Sequence, residues 1–204
     1  MTNIAIFGLG RSGTNSYAET LSLTSHQEHV YLKEYFSDSW ALSDSNEIVP
    51  AEHGSLDFDK KYKYITSLKQ PWLFNCTPYS VEELVLDLIV NHANVHLIIR
   101  NDLQEVFLSH ILAWFGNSFY GNRVIRESNS IWINEPMFEK YRTYYTKYLD
   151  IVNKLSPAKV IKFEDVKFIS REYQSQYNLV NKMDYIKNKQ EVLNFLEDLQ
   201  VSKH

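Results

Sequence analysis

The sequence predicts an α/β fold in which a central parallel sheet of about five strands lies between layers of helices. Short apolar runs, such as Ile4–Phe7 and Val95–Ile99, alternate along the chain with segments of helical periodicity. Strands that alternate with helices in this way form parallel sheets covered on both faces. At 204 residues, 44% of them hydrophobic, the chain suits one such domain, and we expect a single domain over residues 1–204.

Each predicted element follows from a local pattern. Strands are expected where short apolar runs are bounded by turn residues, at positions 4–7, 30–32, 72–74, 95–99 and 159–163. Helices are expected where apolar residues recur at intervals of three and four, at positions 14–23, 81–89, 103–114, 139–155 and 188–199. Capping-box spacing marks three helix starts, with the pairs Ser80 and Glu83, Asp102 and Glu105, and Asn188 and Glu191. Residues 35–60 show no clear period.

The composition narrows the classes of function. The chain has 21 Lys and Arg against 25 Asp and Glu, a formal net charge of −4, so we expect no broad nucleic-acid-binding surface. A single cysteine, Cys76, rules out an internal disulfide and fits a reducing compartment. The sequence shows neither a charged leader nor a run of about 18 apolar residues, so we expect a cytoplasmic protein with no membrane span. The histidines form no recognisable cluster, and no metal site is expected.

A glycine-rich loop joins the first predicted strand to the first helix. It reads Gly8-Leu9-Gly10-Arg11-Ser12-Gly13-Thr14-Asn15 and holds three of the six glycines in the chain. Backbone N–H groups of such a loop, together with the helix N-terminus, can surround an anion. Read as G-x-G-x-x-G, the loop is a dinucleotide fingerprint, and Glu34 follows the second strand where an acidic residue would hold the ribose. An NAD(P)-dependent oxidoreductase on a Rossmann fold is therefore one interpretation.

The same loop fits an ATP- or GTP-hydrolysing P-loop poorly. The glycines match G-x-x-x-x-G-K-[ST], but Thr14 stands in place of the lysine that reaches the terminal phosphates. Asn15 replaces the hydroxyl residue that ligates magnesium.

With its side chains included, the loop resembles that of another family. Gly10-Arg11-Ser12-Gly13-Thr14 is similar to the 5′-phosphosulfate loop of the sulfotransferases that use 3′-phosphoadenosine 5′-phosphosulfate (PAPS). In that family the loop, commonly [K/R]-S-G-T, wraps the 5′-phosphate without a metal, and its Lys or Arg faces the transferred sulfuryl group. The resemblance implies a P-loop-like fold, PAPS as the sulfuryl donor and 3′,5′-ADP as the product. It places Gly10, Arg11, Ser12, Gly13, Thr14 and Asn15 at the cofactor, with Arg11 also catalytic.

Two later segments extend the resemblance. The strand ending in Arg100, followed by a helix that carries Ser109, looks like the family's 3′-phosphate-binding segment, although Arg100 and Ser109 are about one residue farther apart than is usual. Independently of the family, an arginine at the end of a buried strand can present a planar fork to a phosphate. The segment 160–166 is similar to the hydrophobic strand and Phe-Glu-Asp-Val sequence that closes the sheet in many sulfotransferases, where Glu164 or Asp165 would cap the next helix.

An acceptor alcohol also needs a base within hydrogen-bond reach of its proton. The best candidate is Glu34, because Glu34-Tyr35-Phe36 resembles the segment of bacterial glycan sulfotransferases in which a glutamate is assigned as the base. His110 is expected to be a packed histidine, and Asn75 is a weaker site candidate. The polar, aromatic-rich segment 116–134 is expected to be a long surface loop on the acceptor side, with carbohydrate as one acceptor class. A nucleotide-binding protein that kept the loop but lost transfer remains the non-enzymatic alternative.

Overall fold

A five-stranded parallel sheet runs through the centre of the computed structural model. The structure describes residues 2–25, 29–37, 40–42, 48–50, 57–116, 131–166 and 181–201. The strands are β1 (Ile4–Gly8), β2 (Val30–Tyr31), β3 (Trp40–Leu42), β4 (Ile48–Pro50), β5 (Trp72–Cys76), β6 (Asn94–Ile99) and β7 (Lys159–Lys162). The helices are α1 (Thr14–Thr24), α2 (Phe58–Ser67), α3 (Glu83–His92), α4 (Leu103–Gly116), α5 (Glu135–Val152) and α6 (Lys189–Val201). Short 3₁₀ turns follow β5 and β7 and precede α6, at Pro78–Ser80, Phe163–Asp165 and Lys182–Tyr185.

The central sheet has the strand order β2-β5-β1-β6-β7, and all of its neighbouring pairs are parallel. The register aligns Ile4 of β1 with Leu73 of β5, and Gly8 of β1 with Ile98 of β6. The strands β3 and β4 form a separate antiparallel pair. The predicted α/β class and the five-stranded parallel sheet are therefore confirmed.

Both faces of the inner strands β1, β5 and β6 are buried, which explains why β1 reads as a continuous apolar run. Successive side chains of a strand point to opposite faces, so Ala5 and Phe7 join one hydrophobic cluster and Ile6 joins the other. The larger cluster includes core residues of α3, α4, α5 and α6, whereas the smaller one packs Ala18 of α1 against Ile6 and Ile98. The sheet thus lies between two helical layers.

The structure corrects several predicted boundaries. Ser80 does not cap α3, because its hydroxyl bonds the backbone of Thr77 within the 3₁₀ turn, and α3 begins at Glu83. Asp102 does cap α4, accepting a 2.8 Å hydrogen bond from the amide of Glu105. Asn188 precedes α6, where its side-chain oxygen accepts from the amide of Ile133 and its side-chain amide donates to the carboxylate of Glu191 at 2.7 Å.

Other differences concern segments with weaker sequence signals. The helix α5 begins before the predicted residue 139, because Asn134 caps it and a proline follows in its first turn. The helix α2 lies in a region for which no element was predicted. The Glu164 carboxylate accepts a hydrogen bond from the amide of Asn101, so it ties β7 to the end of β6. Whether Glu164 or Asp165 caps a following helix depends on residues outside the described part of the chain.

Within the described ranges, no helix has both the length and the apolar character needed to cross a membrane.

Candidate functional site

The glycine-rich loop lies at the carboxyl edge of the sheet, between β1 and α1. The chain leaves β1 toward β2 on one side of the sheet, and it leaves β6 toward β7 on the other side. The neighbouring strands β1 and β6 therefore form a topological switch point, where open parallel sheets bind their ligands. The loop 9–13 follows β1, and Arg100 follows β6. The two predicted phosphate-binding segments, here called the first and the second anion anchor, therefore both lie at this point.

The backbone of the loop depends on its glycines. Gly13 has a φ of 90°, and a side chain there would collide with the ring of Phe163. A Cβ atom at Gly10 would lie 2.8 Å from Cε1 of His110 and 2.9 Å from the hydroxyl of Tyr144.

Arg11 itself has a φ of 68°, a left-handed conformation that non-glycine residues adopt at an energetic cost and that recurs at ligand sites.

Side chains below the loop hold it from the core. The amide of Gly10 donates a 2.6 Å hydrogen bond to the hydroxyl of Tyr144 on α5. Burial raises the pKa of Tyr144 well above its ordinary value, which keeps that hydroxyl protonated. Burial and the nearby charge of Arg11 lower the pKa of His110 to about 3, so its ring is neutral at pH 7. His110 is thus packed, as expected, but it packs directly beneath the loop.

Ser12 and Thr14 are buried within the loop region. The amide of Ser12 donates to the carbonyl oxygen of Leu9 at 3.0 Å, which closes the turn. The Ser12 hydroxyl oxygen is buried and has no hydrogen-bond partner among the described residues. Because a buried polar atom without a partner is costly, this hydroxyl fits a site that is completed by a ligand.

A chain of polar contacts leads from the loop toward Glu34. The Asn75 side-chain amide donates to the side-chain oxygen of Asn15 in the first turn of α1. The backbone amide of Asn75 donates to the carbonyl oxygen of Lys33 at 3.0 Å. Glu34 is half-buried, and its charge adds to the burial that raises the pKa of Cys76, which places it near the end of β5. Glu34 therefore follows the edge strand β2, and β5 separates that strand from β1.

Arg100 joins the loop to the second predicted anchor. Its Nη1 atom donates to the carbonyl oxygen of Arg11 at 3.2 Å, linking residues that are 89 positions apart. Its guanidinium lies over the ring of Phe163, 4.6 Å from the ring centroid. Its Nη2 atom lies 3.8 Å from Oε1 of Glu105, and Ser109 donates to that same oxygen at 3.3 Å. The two predicted 3′-phosphate ligands are therefore brought together through Glu105.

Lys182 is a site residue that sequence reasoning missed. Its ammonium group contacts Oε1 of Glu105. Burial and the charges of Arg100 and Arg11 lower the pKa of Lys182 to about 8. The three cations are therefore close enough to repel one another. It lies beyond the last recognised motif, in a 3₁₀ turn with no sequence pattern, so only its positive charge could have suggested it.

The predicted acceptor loop is described only in part. Phe119, Tyr120, Arg123 and Arg126 lie outside the described residues. Ile131 pairs with Ile186 in a parallel bridge, and Trp132 next to it is 58% exposed. Of the described residues, no three His, Cys, Asp or Glu side chains are grouped as metal ligands would be.

In comparisons with known proteins, no family model and no curated protein matches the chain.

Proposed function

We propose that the chain is a sulfotransferase that transfers the sulfuryl group of PAPS to a hydroxyl acceptor. The observation that carries the proposal is the contact between Arg100 and Arg11 at the ends of β6 and β1. Two cationic segments, each expected from sequence to bind a different phosphate of one nucleotide, meet at the switch point of the sheet. A nucleotide with anionic groups at both the 5′ and the 3′ positions suits such a pair of anchors.

The loop would hold the 5′-phosphosulfate. Gly13 precedes the first residue of α1, and the first turn of that helix contains no Asp or Glu. The N-terminus of α1 therefore offers its amides and its dipole to an anion. The buried Ser12 hydroxyl, which has no partner within the described structure, is a further donor on this loop. Thr14 and Asn15 form the first turn of α1, beside this anion position.

Arg11 would stabilise the charge that develops during transfer. The acceptor oxygen forms a bond to sulfur while the bond from sulfur to the 5′-phosphate oxygen breaks, leaving 3′,5′-ADP. Negative charge accumulates on the departing phosphate, and a cation fixed beside it lowers the barrier. The proton of the acceptor hydroxyl passes to Glu34, which is half-buried and follows Lys33, the residue whose backbone is connected to the loop through Asn75 and Asn15. Such a base contributes about 10²–10⁴-fold to a rate.

Arg100 and Ser109 would bind the 3′-phosphate. Both already converge on one carboxylate oxygen, that of Glu105, at 3.8 and 3.3 Å. A phosphate oxygen needs the same type of donors, a guanidinium fork and a hydroxyl. These two residues would distinguish PAPS from adenylates that carry only a free 3′-hydroxyl.

The strand order argues against the oxidoreductase interpretation. In the Rossmann order 3-2-1-4-5-6, the second strand lies beside the first, so an acidic residue at its end can reach the ribose. Here the third strand of the sheet, β5, lies beside β1, and β2 is at the edge. Glu34 is therefore one strand too far away for the ribose-binding role and stays available as a base.

Thermal-shift titration separates the candidate functions. We expect 3′,5′-ADP to raise the melting temperature and NAD(H) and NADP(H) to leave it unchanged. Stabilisation by a nicotinamide cofactor alone would overturn the proposal. A screen of carbohydrate and other hydroxyl acceptors with ³⁵S-labelled PAPS then tests transfer. Binding of 3′,5′-ADP without transfer to any acceptor would favour the non-catalytic nucleotide-binding protein.

A further inference from the structure

One carboxylate oxygen occupies the centre of the second anion anchor. Oε1 of Glu105 lies 3.8 Å from Arg100, accepts a hydrogen bond from Ser109 at 3.3 Å, and contacts the ammonium group of Lys182. All three of these donors are among those that bind phosphate oxygens in proteins. The carboxylate of Glu105 thus occupies the position that an oxygen of a bound phosphate would take.

The position of Glu105 on α4 explains how its carboxylate reaches that place. Glu105 belongs to the first turn of α4, and Asp102 accepts a 2.8 Å hydrogen bond from its amide. Its backbone is therefore fixed. Ser109 lies four residues later, one helical turn away, so the two side chains share one face of the helix. The side chains of Arg100, Lys182 and Glu105 are only 11%, 18% and 20% exposed, so the ion pairs among them are shielded from solvent.

We propose that Glu105 is an intramolecular competitor for the phosphate that binds Arg100, Ser109 and Lys182. The identity of that phosphate, the 3′-phosphate of the nucleotide, rests on the proposed function. The competition itself rests on the contacts of Glu105. When the site is empty, the carboxylate neutralises the cations. When the phosphate binds, the carboxylate leaves, because two anions on the same donors repel each other.

The consequence is weaker retention of the product. Each binding event loses the contacts of Glu105 before it gains those of the phosphate, and Glu105 returns as the phosphate departs. A ligand without a 3′-phosphate leaves the contacts of Glu105 in place, so its affinity does not depend on Glu105. The residue therefore determines how tightly 3′-phosphorylated nucleotides are held, and it favours release of 3′,5′-ADP after transfer.

Isothermal titration calorimetry with 3′,5′-ADP and 5′-AMP tests the proposal on the wild type and on Glu105→Gln. The variant keeps the size of the side chain and removes its charge. We expect about tenfold tighter binding of 3′,5′-ADP, the effect of one charge-assisted contact, and no change for 5′-AMP. Glu82→Gln is the matched control, since Glu82 forms an ion pair with Lys147 at 3.6 Å on the surface.

Unchanged or weaker binding of 3′,5′-ADP to Glu105→Gln would overturn the competitor role. If that variant does not fold, Glu105→Ala serves instead, because it removes the carboxylate and places a strong helix former in α4. The same tightening is expected of it, and its absence would overturn the proposal.

If the chain is not a sulfotransferase, the titrations give a different result. In that case neither protein binds 3′,5′-ADP, and inorganic phosphate becomes the probe. A gain in phosphate affinity of about tenfold in Glu105→Gln would then support the competitor role without the sulfotransferase assignment. No gain for either ligand would overturn it.

Discussion

The hydroxyl of Tyr144 accepts a hydrogen bond from the amide of Gly10 over 2.6 Å. Tyr144 belongs to a stripe of four tyrosines on α5, all of them buried. Its ring packs against the buried ring of His110 with a centroid distance of 4.8 Å, and it also stacks on the exposed Tyr79 at 4.4 Å, so a buried neighbour helps to set its orientation. This hydrogen bond thereby fixes the position of the Gly10 backbone relative to α5. A flexible turn without such a contact would leave that position undetermined.

Removal of this hydroxyl tests its role. We expect Tyr144→Phe to lower the free energy of unfolding by about 1–3 kcal/mol, because the Gly10 amide loses its acceptor. The matched control is Tyr141→Phe on the same helix, since the Tyr141 hydroxyl is buried without a hydrogen-bond partner among the described residues. That change should be neutral or stabilising. Urea denaturation measures both, and equal losses would contradict the special role of Tyr144.

The left-handed conformation of Gly13 predicts a second stability effect. Gly13→Ala places a methyl group against Phe163 at a φ of 90°, so we expect a loss of about 1–3 kcal/mol together with weaker 3′,5′-ADP binding. Adding Phe163→Leu should recover the part due to the collision but not the part due to backbone strain. Thermal denaturation of the single and double variants separates the two. Full recovery would show that strain contributes nothing.

Arg100 is predicted to strengthen nucleotide binding and to be dispensable for the fold. Arg100→Ala should weaken 3′,5′-ADP binding by about 10- to 100-fold, the value of a charge-assisted hydrogen bond to phosphate. Arg142→Ala, which removes an exposed arginine paired with Glu139, should bind normally. Calorimetric titration gives both affinities. Wild-type affinity in Arg100→Ala would place the 3′-phosphate elsewhere.

Glu34→Gln separates binding from chemistry. The amide keeps the shape of the side chain but cannot take the proton of the acceptor. We expect unchanged affinity for 3′,5′-ADP and a fall in turnover of about 10²–10⁴-fold. The measurement is transfer of ³⁵S from PAPS to the acceptor found in the screen. Full activity of the variant would remove Glu34 from the role of base.

Two buried histidines predict the pH dependence of stability. Burial lowers the pKa of His96 to about 4 and that of His110 to about 3, each with help from a neighbouring cation. From about pH 6.5 down to about pH 4, the unfolded chain binds protons that the folded chain does not, so stability falls as the pH falls. The slope is at most about 1.4 kcal/mol per pH unit for each histidine. His110→Gln should reduce this slope in urea denaturation, and an unchanged slope would exclude His110 as its source.

The local features of this protein could be predicted from its sequence. The strand β1, the glycine-rich loop and the start of α1 depend on neighbours in the chain, and the apolar run and glycine spacing encode them. The capping of α4 by Asp102 was predicted for the same reason. The proposed cap at Ser80 was wrong, because Thr77 and Pro78 offered a competing turn that uses the same hydroxyl.

The relationships between distant segments required the tertiary structure. The position of β5 beside β1, which moves Glu34 away from a ribose-binding position, follows from strand order and has no local signal. Lys182 meets Glu105 across 77 positions, and Tyr144 meets Gly10 across 134. Such contacts arise where the packing of the sheet and helices brings remote side chains together. The sequence therefore specified the chemical groups at the switch point of the sheet, and folding determined that Arg100, Ser109 and Lys182 converge on the carboxylate of Glu105.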